Sequence, residues 1–174
     1  MKWFPAFLVV LVAIAGTLCA QETVKTLDAV PFSKILPLLP VPPEGWKAPE
    51  PDGSTTDAGG FKMTTAGRTY TKGEGDDAPT VSLNIIDFAG NQPFYDATTA
   101  AWNVNQETTT GYMKTAKIGE FPGFEAYDKP GKSGQLWVVV ARRFFVHVET
   151  TNLDPAELQT WMKMIDLKKL AALK

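Results

Sequence analysis

His147 is the only histidine in this 174-residue chain, so any acid–base or metal chemistry near neutral pH starts there. A metal site would need further nitrogen or sulfur ligands beside it, and no second histidine exists to supply one. Ser33, Ser54, Ser82 and Ser133 are on hand for a Ser-His-Asp arrangement. None stands in the Gly-X-Ser-X-Gly setting that exposes a nucleophile on a sharp strand-to-helix turn. A small hydrolase or isomerase would use Asp87, Asp128 or His147, and that reading requires these groups to converge in one pocket with shifted titration. The plainer reading makes His147 a half-buried sheet residue beside Phe145.

Other chemistry-bearing types are sparse. Two acidic runs, 52–57 (DGSTTD) and 74–77 (EGDD), offer clustered oxygens to calcium. Neither fits the twelve-residue loop with its terminal glutamate, and both read as solvated turns. Arg142 and Arg143 could bind an anion, or Arg143 could stand on the wetter sheet face near Glu149. Lysines and arginines are scattered and the formal charge is −2, so a nucleic-acid footprint is not expected. No cofactor motif is present.

The element that must position most of these residues is the stretch 136–149, LWVVVARRFFVHVE. β-branched and aromatic residues on either side of Ala141-Arg142 predict a hairpin. With a two-residue turn, Val139 pairs with Phe144 and Val138 with Phe145. One face then carries Trp137, Val139, Phe144, Val146 and Val148. The second carries Leu136, Val138, Arg143, Phe145, His147 and Glu149. Ala-Arg is a poor turn pair beside Asn-Gly, and a longer turn would exchange the faces. The C-terminal helix is the expected cover of the first face. The apolar residues of the second need the proline-rich segment, a partner or a ligand over them.

The remaining elements follow in chain order. Residues 1–20 have a lone lysine, a short apolar run and small residues ending at Ala20, the layout of a secretory signal peptide. The apolar run is too short for a membrane span. A lipoprotein signal at Cys19 is the alternative, against which stands Leu18 just before it. Removal near Ala20 exports a chain without cysteine or disulfides, which must fold on core packing alone. Residues 21–60 read as a proline-rich extended segment with a short helix, pinned by Trp46. Residues 61–174 read as an α+β domain, the whole of 21–174 forming one folding unit.

Within that domain, 61–72 and 80–89 are predicted strands, with Gly67 a bulge or a close backbone approach. Residues 93–104 are a predicted helix opening on Pro93. Strands at 112–118 and 123–128 precede the hairpin. Asp154, Pro155 and Glu157 announce the C-terminal helix, with Leu158, Trp161, Met162 and Ile165 as its apolar stripe. Asp166 recaps a second short helix. The expected fold is a mainly antiparallel sheet of about six strands with helices packed on it, in the order β-β-α-β-β-β-β-α.

Gly45-Trp46 after the prolines, Arg68-Thr69-Tyr70 and the closing run IDLKKL at 165–170 resemble small secreted bacterial proteins. The element order resembles the PsbP/Mog1-like α-β-α sandwich. That resemblance implies a non-catalytic accessory or binding module, and it transfers no functional residue. The leading expectation is therefore an exported, non-enzymatic domain. It would hold a partner protein or a small apolar ligand on the second sheet face, at Leu136, Val138, Arg143, Phe145 and His147. A structural envelope protein is the third alternative.

Overall fold

The computed structural model describes residues 27–58 and 61–173. The expected signal peptide, with Cys19, lies outside the described residues. Eight strands form one antiparallel sheet: β1 Asp52–Ala58, β2 Phe61–Thr71, β3 Thr80–Asp87, β4 Gln106–Thr108, β5 Gly111–Ile118, β6 Phe121–Asp128, β7 Ser133–Val140 and β8 Phe144–Thr151. Their order is β1-β2-β3-β8-β7-β6-β5-β4. Two meanders thus meet at the β3–β8 seam. The chain must pass from β3 at the centre to β4 at one edge, and α2 (Gln92–Ala100) lies on that crossing.

The count exceeds the expected six because both edge strands carry no apolar alternation. β1, the acidic run read as a turn, is DGSTTDA and almost wholly exposed. β4 is three exposed polar residues. Backbone pairing with β2 and β5 makes them strands, and polar edges discourage further chains from adding on.

The central hairpin departs from the expected register by one residue. Val140 pairs with Phe144, Val139 with Phe145 and Trp137 with His147. The loop holds three residues rather than two. Ala141 and Arg142 both take positive φ, 53° and 51°, and Arg143 N–H donates to the Val140 carbonyl at 3.1 Å. Because side chains alternate with period two, the extra residue turns every β7 side chain over relative to β8. Leu136, Val138 and Val140 therefore lie beside Phe144, Val146 and Val148, while Trp137 and Val139 join Phe145 and His147.

The first of these faces is the core. Leu136, Val138, Leu83, Ile85 and Val146 are all fully buried on it. Its roof consists of α3 (Ala156–Lys163), α4 (Leu167–Ala171), α1 (Phe32–Ile35) and the 3₁₀ turn Leu36–Leu38. Trp161 of α3 meets the rings of Trp46 at 4.9 Å and Tyr70 at 4.7 Å. The proline-rich segment is strapped down rather than loose. Tyr70 Oη donates to the Pro40 carbonyl at 2.7 Å, and Arg68 Nε to that of Pro49 at 2.7 Å. Asp166 caps α4 by accepting from Lys169 N–H at 2.8 Å, as expected. Asp154 makes no side-chain cap on α3; its carbonyl instead accepts from Glu157 N–H at 3.0 Å.

On the second face, α2 covers only part of the sheet. Asn91 caps it, accepting from Phe94 N–H at 3.2 Å. Phe88, Phe94, Tyr95 and Trp102 surround Phe145, with ring centroids 5.4 to 6.4 Å away. Phe145 is thereby buried by its own chain. The guanidinium of Arg142 lies 4.7 Å from the Tyr95 ring, tying the hairpin turn to this helix.

Candidate functional site

Past the reach of α2, the second face is open and its side chains line up in rows across the strands. One row runs Gly67, Asn84, His147, Trp137. Gly67 leaves room there for the Asn84 side chain, whose Oδ1 would lie 2.5 Å from a Cβ and would have to move. The His147 ring stacks on Trp137 at 3.8 Å, nearly parallel. Trp137 Nε1 donates to Gln135 Oε1 at 3.1 Å, which leaves the NH₂ of that exposed amide as a donor.

The next row runs Thr69, Ser82, Glu149, Gln135, Ala126, Met113, Gln106. Toward β4 this face forms a cleft of about 460 Å³ lined by Gln106, Thr108, Met113, Asp128, Gln135 and Glu149, among others. Its walls hold amides, hydroxyls and two carboxylates, with no lysine or arginine. Asp128 Oδ2 accepts from Gly131 N–H at 2.7 Å. Neither carboxylate is in an ion pair among the described residues. Such a lining offers both acceptors and donors to a polar guest.

The sequence-predicted residues divide sharply. Leu136 and Val138 face the core and are fully buried. Phe145 lies on the second face but beneath α2. Arg143 stands in the turn rather than on a wet face beside Glu149. Its guanidinium clasps Asp87 in two bonds, Nε to Oδ1 at 2.8 Å and one terminal NH₂ to Oδ2 at 2.7 Å. Asp87 also accepts from the N–H groups of Val30 and Ala89, and Arg143 donates to the Asp28 carbonyl at 2.6 Å. This buried pair joins residues 28–30, the end of β3 and the hairpin turn. It is a structural clasp, with the Asp87 carboxylate wholly buried.

His147 alone keeps its place on the open second face. Its Nε2 is out of solvent without a hydrogen-bond partner, and burial pushes the imidazole down to about 4. The ring is neutral at physiological pH. Asp87, Asp128 and His147 do not converge. Asp87 pairs with Phe144 on the core face. Asp128 shares the second face with His147 but lies two strands across and four residues along, a span of about 13 Å along the strand direction alone. None of the four serines donates to His147.

A second buried acid escaped the sequence reading. Glu125 is 2% exposed on the core face, where Tyr112 Oη donates to it at 2.5 Å, Gln159 Nε2 at 3.1 Å and Lys114 Nζ at 3.0 Å. Burial alone would raise its pKa, but these donors outweigh that and hold it below the usual carboxylate value. Burial and the neighbouring carboxylate push the Tyr112 hydroxyl well up. The signal was available, since period two puts Glu125 on the face of Gly123 and Tyr127. The Gln159 bond shows its role, anchoring α3 to β6.

No group of three or more His, Cys, Asp or Glu side chains among the described residues is arranged to hold a metal ion. Among the same residues no helix is long and apolar enough to cross a membrane. No protein-family model, curated protein or solved structure matches the chain.

Proposed function

We propose that this chain is an exported, non-catalytic binding or accessory domain that takes a small polar ligand in the cleft on the open half of its second sheet face. One observation carries the reading: helices roof the core face, whereas beyond α2 the second face leaves a cleft walled by amides, hydroxyls and two carboxylates that form no ion pair among the described residues. The apolar ligand expected from the sequence loses its footing, because Leu136 and Val138 turn the other way. Hydrolase or isomerase chemistry is disfavoured by the separation of Asp87, Asp128 and His147. Export is inferred from the character of residues 1–20.

A thermal-shift screen of neutral and cationic polar small molecules against the wild type and a Gln135→Ala/Glu149→Gln variant tests the reading. Both substitutions are at exposed positions, so the variant should melt like the wild type. A ligand that stabilises the wild type should lose at least tenfold in affinity for the variant. A ligand bound equally by both would place the site elsewhere.

A further inference from the structure

A second concavity lies at the edge of the core face, between the β5–β6 turn and the junction of α3 with α4. It measures about 430 Å³. Its walls are Ile118, Phe121, Met162, Met164, Ile165 and Leu167. Met164 is 40% exposed. The charged groups along it are Lys163, Lys168 and Asp166. The Asp166 carboxylate accepts from Lys169 N–H in capping α4 and keeps its charge, so the two lysines leave the groove with a net charge of +1. Lys163 and Lys168 are exposed and form no ion pair among the described residues.

An apolar trough flanked by two unpaired ammonium groups is complementary to a molecule with a hydrocarbon chain and one anionic end. We infer that this groove binds a single-chain carboxylate amphiphile. The chain lies against Ile118, Phe121 and Met164, the apolar walls that keep exposed surface, and the carboxylate sits between Lys163 and Lys168. The volume falls within the range of small-molecule sites, which combine apolar walls with a few placed polar groups. A monomer is favoured over a lipid surface, because most of the apolar residues are recessed. Membrane docking needs protruding apolar side chains and more basic charge than two lysines. The second-face cleft, with its carboxylates and no lysine or arginine, would repel the same ligand, so the two sites are chemically independent.

Titration calorimetry with monomeric dodecanoate tests the inference, with dodecanol, octanoate and phosphatidylglycerol vesicles as comparisons. Dodecanoate should bind one to one. Octanoate should bind more weakly by about fourfold per missing methylene, until the groove is no longer filled. Lys163→Gln/Lys168→Gln, both at solvent-facing positions, should weaken dodecanoate at least tenfold with an unchanged melting curve. The proposal fails if dodecanoate does not bind, if dodecanol binds as tightly, or if the double variant binds dodecanoate like the wild type. Capture by vesicles without dodecanoate binding would also overturn it, in favour of a lipid surface.

Discussion

The two faces of the sheet are built from the same strands, yet only one is roofed over most of its area. On the core face, α1, α3, α4 and the proline-rich strap cover the apolar rows, and Trp161 sits at 1% exposure between Trp46 and Tyr70. On the second face, a nine-residue helix shields Phe145 and leaves Trp137, His147, Gln135 and Glu149 partly or wholly in water. The difference teaches where stability and recognition reside. A face that is roofed except at its β5–β6 edge commits most of its side chains to packing. A face that is roofed in part can keep hydrogen-bonding groups unpaired because solvent satisfies them until a ligand does.

The largest expected contrast comes from truncating one tryptophan on each face. Trp161→Ala should cost about 3–5 kcal/mol, as for a fully packed aromatic. Trp137→Ala should cost well under half as much, since its ring is partly solvated and loses mainly the His147 stack. Urea denaturation of both variants measures the difference, and equal losses would erase the distinction between the faces.

Next in size is the clasp at the end where the faces meet. Arg143→Met leaves the Asp87 carboxylate buried with only backbone donors, and should destabilise by about 3 kcal/mol or more. Adding Asp87→Asn to that variant should recover part of the loss. A double variant no better than the single one would show that the guanidinium mattered for something other than charge.

pH separates the faces by window. His147 is held down to about 4, so between roughly pH 6.5 and 4 the unfolded chain takes up a proton that the folded chain refuses. Stability should fall across that window by at most about 3 kcal/mol, and His147→Phe should remove the slope. Glu125 on the core face is also lowered, and its contribution, present above the ordinary glutamate range, is lost only as the pH drops below that range. Glu125→Gln should flatten that lower limb and leave the upper one intact. Denaturation midpoints from pH 3 to 8 report both.

The smallest effect sharpens the register itself. Ala141 is held at φ 53°, a conformation that costs an ordinary residue about 1 kcal/mol. Ala141→Gly should therefore stabilise slightly, by about 0.5 kcal/mol after its extra unfolded-state freedom. A destabilised Gly variant would mean that the turn is not strained.

Much of the framework is legible from residue types. The valines and phenylalanines of 136–149 specify two strands, the apolar stripe of 158–165 specifies the covering helix, and Asp166 specifies the recapped turn. Trp46 is readable as a pin because nothing else in its proline-rich stretch is large and apolar. The edge strands are not readable, since Asp52–Ala58 and Gln106–Thr108 bury nothing and exist only because a neighbour offers backbone partners. The second-face cleft is half legible: Glu149 falls on its face in either register and Asp128 stands out as an acid, but Gln135 lies on β7, whose face depends on the loop length, and Gln106 lies on an edge strand with no apolar signal.

Sequence by itself determined that a strand-rich, helix-covered fold would form, because apolar alternation and helical stripes are local properties. It also left few groups able to do acid–base work, with one histidine in the whole chain. Only the tertiary structure decided which side chains share a face. A single added loop residue at Ala141–Arg143 reverses one strand against the other, and that loop is tied to residues far away in the chain, through the Asp87 clasp and the Arg142–Tyr95 contact, which no local pattern encodes.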